Sequence, residues 1–505
     1  MLDQLVPRSS GVLLHPTALP GPFGIGDLGP NAHVWIDALA CAGQRWWQVL
    51  PLGPSGYRDS PYQSPSTFAG NLNLISPELL VADGLAYAGD ADGCTLPADG
   101  PVHFAEVIPR KRRLIREAWN RFEAGECDAS LRAAFDRFQT AEAGWLEEFV
   151  LYKAIKDHHG GKPWWDWPPA LAAHDEAALR KAIPTLTEEI GSHRFGQFLF
   201  FRQWKALRDH AAAKGIRIIG DLPIYVAEDS AEVWSDPKLF MLGPDRRPRV
   251  VAGVPPDYFT STGQLWGNPI YDWDAHWKND FAWWIERVRA CLRMFDLIRL
   301  DHFRGIEAFW AVPAGAATAA EGQWLPGPGA TLLTALQQAL GAMPIIAEDL
   351  GFITPEVSAL RERFGLPGMR ILQFAFGGAV EPRFLPHNYD RNVVAYTGTH
   401  DNDTSAGWAR RLTDEERAKF AEYAPSAATE PVETLLRLAW GSVADLAIAP
   451  LQDVLGLGTE ARFNFPGTLE RNWTWRMCES SLVNLDWADR LHKLTETYER
   501  LGKKS

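Results

Sequence analysis

Cysteine is scarce: Cys41, Cys94, Cys127, Cys291 and Cys478 are five in 505 residues, odd in number, scattered, and without a Cys-x-x-Cys pair. That usage points to reduced, mostly buried thiols rather than a disulfide framework. No Lys/Arg run suggests a phosphate track and the net charge is -13, so nucleic acid and an anionic membrane are poor candidates for partners. A polyanionic substrate is disfavoured for the same reason. No apolar run approaches the roughly 20 residues that span a bilayer. The stretch Met1 to Arg8 has neither a basic segment leading into a long apolar one nor a small-residue cleavage site, so a cytoplasmic protein is expected. There is no evident linker or tandem repeat.

Tryptophan, in contrast, is abundant, with 22 residues. An aromatic excess in an uncharged cleft suits the apolar faces of sugar rings, although packing in the core or between layers is the better explanation of any single Trp. Hydrophobic residues at 46% and charged residues at 22% fit a soluble chain with a substantial core. One large catalytic body, a monomer or weak homo-oligomer, is expected.

Short apolar runs alternate with helical patterns along most of the chain. Strand starts are predicted near residues 11, 46, 216, 297, 344, 370, 392 and 445, and eight strands alternating with helices is the arithmetic of a (β/α)8 TIM barrel, an α/β fold. The helices are punctuated by their own signals: Gly43, Gly215 and Gly365 end three of them, Thr354-Pro355-Glu356 opens one, and Thr413 to Glu416 is a capping-box pattern. From about 74 to 196 the strand signal fades into charged helical segments, an expected insertion subdomain, with Trp164-Trp165-Asp166-Trp167 as its anchor. A second insertion, over about 225–280, is expected to border the active site. Gly24-x-Gly26-x-x-Gly29 matches a dinucleotide-binding pattern by count, but it follows a proline-punctuated loop and precedes Pro30, so that reading is rejected.

In such a barrel the site lies at the carboxyl ends of the strands. Four predicted strands end there in acids: Asp221, Asp301, Glu348 and Asp401. Singly, each acid can be a helix cap or half of an ion pair. Together, with Arg299 and His302 beside Asp301 and His400 beside Asp401, they point to carboxylate chemistry. There is no His-Glu-x-x-His, no Gly-x-Ser-x-Gly elbow and no P-loop, and His158-His159 falls in the insertion as a solvated pair rather than a metal site. Cleaving a glycosidic bond with retention needs an acid at the leaving oxygen and a second carboxylate about 5 to 5.5 Å away as nucleophile. Adjacent barrel strands can supply that pair. Asp296, at the other end of its strand, is excluded.

The sequence also resembles a known family on these and other motifs. They are Ser60-Pro61-Tyr62-Gln63-Ser64, Gly220-Asp221-Leu222-Pro223, Pro255-Pro256-Asp257-Tyr258-Phe259 continuing to Gly263-Gln264-Leu265-Trp266-Gly267-Asn268-Pro269, Arg299-x-Asp301-His302-Phe303-Arg304, Ala347-Glu348-Asp349-Leu350-Gly351, Thr399-His400-Asp401-Asn402, Arg462-x-Asn464-x-Pro466-Gly467 and Asn472-Trp473-x-Trp475-Arg476. In order and over nearly the whole chain they are similar to those of the amylomaltases, or 4-α-glucanotransferases, relatives of the α-amylases. By length the chain resembles the compact bacterial members.

The resemblance implies Asp301 as nucleophile oriented by Arg299, Glu348 as acid/base, and Asp401 as the group binding hydroxyls at the cleaved residue. It implies sugar contacts from Tyr62, Ser60, Asp221, His400, His302 and Asn464, with a packing role as the alternative for His302. It further implies an acceptor-side loop bearing Asp257, Tyr258, Phe259, Gln264 and Trp266, and no cofactor or metal. The expected substrates are maltooligosaccharides and α-1,4-glucans. A hydrolase of the same clan and a non-catalytic glucan-binding barrel stay open as alternatives.

Overall fold

The computed structural model describes residues 8–256, 261–378, 381–468 and 471–502. Eight parallel strands form its centre: β1 (Ser9–Leu13), β2 (Trp46–Gln48), β3 (Arg217–Leu222), β4 (Leu297–Leu300), β5 (Ile345–Ala347), β6 (Gly368–Ile371), β7 (Val393–Tyr396) and β8 (Leu446–Pro450). They are the eight predicted from hydrophobic runs. Their ladder order is β6-β7-β8-β1-β2-β3-β4-β5. The two ends of that ladder are consecutive in sequence and meet where the Ala347 N–H donates to Pro367 O at 2.8 Å. The sheet thus curls into a (β/α)8 barrel.

Strand periodicity explains both the core and the site. Side chains two residues apart share a face, and the inward face stacks Leu13, Trp46, Ile219, Leu297, Ile346, Met369, Val394 and Leu446. Continuing each inward row toward the carboxyl end brings Asp221 after Ile219, Arg299 and Asp301 after Leu297, Glu348 after Ile346, and Gln48 after Trp46. The apolar lower layer therefore carries a polar upper one. Within it the Tyr396 O–H donates to Gln48 Oε1 at 2.9 Å. The outward row packs on the helices, and at Gly220 a Cβ would lie 2.1 Å from Phe295. Glycine there lets the helix that precedes β4 lie close against the strand bearing Asp221.

Between β2 and β3 the chain is helical, including Phe104–Glu123, Ala129–His158 and Thr187–Ala213. The expected boundary near Gly196 lies inside the last of these, a continuous 27-residue helix. Its first half packs on the insertion through Phe195 against Phe122 and Phe135, and its second half on the barrel through Trp204 against Trp47 and Phe295. Trp164 is buried and its indole N–H donates to Glu228 O at 2.8 Å, while Asp229 receives the Tyr152 O–H at 2.7 Å. These contacts tie the insertion to the segment following β3.

A feature with no sequence forecast is a four-stranded antiparallel sheet in the order Gln264–Pro269, Val250–Val254, Ala308–Pro313, Gln323–Pro326. Its first two strands precede β4 and its last two follow it. The chain leaves the Asp301 turn, passes through Arg304–Glu307 and enters this sheet at once. Two excursions on either side of β4 thus build one body beside the cleft.

The five thiols are free, but only Cys94 and Cys291 are buried, whereas Cys41 and Cys478 are exposed. This corrects the expectation of mostly buried cysteines: the two exposed ones end or cap surface helices, Pro30–Cys41 and Glu479–Val483.

Candidate active site

The turn after β4 is held by backbone and carboxylate together. Asp301 N–H donates to Leu222 O at 3.0 Å on β3, and Glu348 N–H donates to Leu300 O at 3.1 Å on β4. His302 adopts φ 50°, a left-handed conformation unfavourable for a residue with a Cβ. The Glu348 carboxylate stabilises that turn, accepting the His302 N–H at 2.7 Å on one oxygen and the Leu350 N–H at 3.0 Å on the other. Asp301 and Glu348 are therefore placed by the same turn.

Arg299 is the hub. One terminal nitrogen donates to both Asp221 oxygens, at 2.9 and 2.7 Å, and the other lies 2.7 Å from Asp301 Oδ1. Burial works against its charge, yet Asp221 and Asp301 hold the guanidinium well above its ordinary range. The Tyr62 O–H donates to Asp221 Oδ2 at 2.7 Å, so its oxygen is left to accept from His400 Nε2 at 2.9 Å. The tautomer with the proton on Nε2 follows, and that same nitrogen stands 3.3 Å from Asp401 Oδ2. Asn464 Nδ2 donates to Asp401 Oδ1 at 2.6 Å. One network thus runs Asp301, Arg299, Asp221, Tyr62, His400, Asp401, Asn464.

Exposure separates the four acids. The side chain of Asp221 is 0% exposed and that of Asp301 28%, while that of Asp401 is 46% exposed. Asp301 and Asp401 face the open cleft, and Asp221 stands behind as the counter-ion of Arg299. Glu348 is 8% exposed overall. Burial pushes its carboxyl up to about 8, with Arg299 opposing and Asp301 adding to the shift. Burial also raises Asp221, against the pull of Arg299 and the Tyr62 hydroxyl. His302 is lowered to about 4 by burial and His400 is lowered for the same reason, so both are neutral imidazoles at pH 7, suited to hydroxyl groups.

Among the described residues, no group of three or more His, Cys, Asp or Glu is placed to hold a metal ion. An anionic carboxylate beside a fixed guanidinium, a neighbouring carboxyl kept protonated, and neutral donors around them form a set able to exchange groups at an acetal carbon.

The family model described as 4-alpha-glucanotransferase matches residues 14–481. The chain belongs to that family. It is 50% identical over 504 residues to the 4-alpha-glucanotransferase of Thermus thermophilus, covering 98% of this chain and 100% of the relative. The chloroplastic/amyloplastic 4-alpha-glucanotransferase of Solanum tuberosum is 45% identical, with 98% and 87% covered. Among solved structures, the amylomaltase from Streptococcus agalactiae, in complex with acarbose, superposes with a TM-score of 0.94 at 39% identity, covering 98% of this chain and 99% of that one.

Measured against the 4-α-glucanotransferase motifs, Tyr62, Asp221, Arg299, Asp301, His302, Glu348, His400, Asp401 and Asn464 all gather at one end of the barrel. Ser60 is one step removed: its hydroxyl accepts the Tyr62 N–H at 3.2 Å. Gln264 is exposed and accepts the Trp266 indole N–H at 3.2 Å. Trp266 meets His302 edge-on at 4.8 Å, which joins the four-stranded sheet to the Asp301 turn. Asp257, Tyr258 and Phe259 lie outside the described residues.

Two participants escaped the sequence reading. Arg462 donates to Asp401 O at 2.6 Å and to Asn464 O at 2.7 Å, fixing the two residues relative to each other. Trp473, at φ 65°, packs on Tyr62 and His400. Both stand in motifs that were visible, Arg462-x-Asn464 and Asn472-Trp473, but nothing local shows that they reach the segments following β2 and β7.

Proposed function

We propose that this 4-α-glucanotransferase works by a retaining double displacement. The ionised Asp301 attacks the anomeric carbon of an α-1,4-glucan while Glu348 gives its proton to the glycosidic oxygen, releasing the reducing-end segment. In the second half, Glu348 as carboxylate takes the proton of an acceptor 4-hydroxyl, which displaces Asp301 from the same carbon. Asp401 and His400 bind hydroxyls of the ring at the cleaved residue, and Trp266 shapes the acceptor side and disfavours water.

The observation that carries this reading is the contrast between the two carboxyls on adjacent strands. Arg299 contacts Asp301 directly, whereas burial raises the Glu348 carboxyl against the opposing pull of the His302 and Leu350 N–H groups. That difference separates a nucleophile from a proton donor. In the same reading the chain is one catalytic domain, with the helical segment that starts near residue 74 and ends within the Thr187–Ala213 helix, and the 225–280 excursion, as subdomains around the cleft. Acarbose is expected to occupy the cleft.

The deciding experiment is the product profile from maltotriose. Glucose together with chains longer than the substrate is expected; a steady rise in reducing ends without longer products identifies a hydrolase instead.

The pH profile follows from Glu348. Its protonated form is needed for the first half-reaction, so kcat/KM is expected to fall as pH rises through about 8. A carboxyl raised on folding binds its proton more tightly in the folded than in the unfolded chain, so its burial costs stability increasingly as pH rises from the ordinary carboxylate range toward 8. Glu348→Gln loses one of the two backbone N–H contacts at every pH, so its Tm relative to wild type should be more favourable at pH 8 than at pH 5, while transfer is nearly abolished. Thermal melts at the two pH values check this.

Asp401 owes its orientation to Asn464 and Arg462. A hydrogen bond to a charged group contributes about 1.5–3 kcal/mol, roughly 10- to 100-fold in rate when it matters only in the transition state. Asn464→Ala and Arg462→Ala are each expected to lower kcat by about that factor. The double variant should be little worse than either one, because both act through one side chain. Strict additivity in steady-state assays would show that they act separately.

A further inference from the structure

On the outer side of the barrel, the helices Ala129–His158, Thr187–Ala213 and Ala282–Met294 border a groove of about 370 Å³. That volume falls within the range of about 300–1,000 Å³ usual for small-ligand sites. Its floor is aromatic, made of Phe68, Trp145, Phe201 and Trp204. Trp145 is half-buried, and its indole N–H donates to Glu142 Oε2 at 2.6 Å. Phe68 lies nearly parallel to it, with ring centroids 6.4 Å apart. The Trp145 ring is thus oriented before any ligand arrives.

The rim is charged, yet its charges are already matched. Glu142 pairs with Arg293 at 3.2 Å, Lys205 with Asp209 at 2.6 Å, and Arg208 with Asp296 at 3.5 Å. An ionic ligand would have to break one of these pairs. A neutral ligand rich in hydroxyls gains donors and acceptors from the same side chains without displacing any of them. Apolar ring faces over the floor and hydroxyl edges at the rim describe a sugar chain.

We propose that this groove is an accessory binding site for an α-1,4-glucan chain, distinct from the catalytic cleft. Trp204 donates to Met294 O at 3.2 Å, and Met294 and Asp296 precede β4, whereas Asp301 follows it. The five steps from Asp296 to Asp301, at about 3.3 Å each, put roughly 17 Å between them along the strand. The groove therefore serves long chains, holding one part of a glucan while another part samples the cleft, which raises the effective concentration of chain ends. The choice of glucan as ligand rests on the transferase reading. A substrate as short as maltotriose cannot use both sites.

Hydrogen exchange tests the proposal at the groove itself. With acarbose saturating the cleft, maltoheptaose is expected to protect residues 142–149 and 205–212 relative to ligand-free enzyme. Trp145→Ala should remove that protection. Ala212→Trp, which fills the groove from its exposed rim and leaves the floor intact, should do the same if Trp145→Ala folds poorly. Both variants should raise KM for amylose severalfold and leave maltotriose kinetics unchanged. No protection in the wild type, protection that survives both variants, or an unaltered amylose KM overturns the proposal. Protection that rises with enzyme concentration in the absence of sugar identifies self-association as the occupant and overturns it too. The two readings fail separately: maltotriose disproportionation without groove protection leaves the transferase standing, and loss of maltotriose transfer in the wild type removes the transferase.

Discussion

Asp301→Ala is expected to abolish transfer, lowering kcat by about 10⁴-fold or more, while maltooligosaccharide binding stays measurable. The substitution removes the group proposed as the covalent partner in the double displacement. It leaves the remaining sugar contacts in place, because Tyr62, His400, Asp401 and Asn464 are held by one another and not by Asp301. Arg299 also keeps its buried partner, since its two bonds to Asp221 do not involve Asp301. The fold should therefore persist, and calorimetry with acarbose beside a maltotriose assay separates the two effects. A variant with near-normal transfer would refute the assignment of the nucleophile.

Arg299→Leu should be damaging in a different way, costing both activity and stability. Asp221 has no exposed side-chain surface, and its charge is balanced by the guanidinium that the substitution deletes. Removing one partner of a buried ion pair costs about 3–5 kcal/mol, because the other charge is left unmatched. The Asp221 carboxyl, already raised by burial, would then have only the Tyr62 hydroxyl to oppose that rise. A carboxyl raised on folding favours the folded state at low pH and loses that advantage as pH increases. The variant is expected to be closest to wild type near pH 5 and to lose Tm progressively toward pH 8. Arg299→Leu combined with Asp221→Asn should recover much of the stability, since no unpaired charge remains, without recovering transfer, since Asp301 still lacks its cation. Melting curves of the single and double variants across pH test this, and a flat pH dependence would contradict it.

Much of this was readable along the chain. All eight barrel strands were visible as short, mainly apolar runs, because a strand buried on both faces leaves few positions for polar side chains. Asp301, Glu348 and Asp401 were visible as the polar residues at which such runs stop. Asp296 was separated from Asp301 by position alone: it precedes β4, where its carboxylate accepts the Ile218 N–H at 2.8 Å. The four-stranded sheet was not legible, since Ala308–Pro313 and Val250–Val254 pair across the whole of β4, and no local pattern shows which distant run a strand will join. Nor was the 196 boundary, because a helix that changes packing partners midway shows no break in its own periodicity.

The sequence by itself determined the fold class, the strand count and the identity of the acids, all of which depend on residues adjacent in the chain or two apart on a strand. Tertiary structure alone decided which of those acids faces the cleft. Asp221 and Asp301 look alike as strand-end carboxylates, but closure of the barrel brings Tyr62 over Asp221 from 159 positions away and His400 onto Tyr62 from 338. It also makes Arg299 the counter-ion of both acids. Burial and charge pairing of this kind arise from which strands become neighbours, and so they distinguish groups that local pattern leaves equivalent.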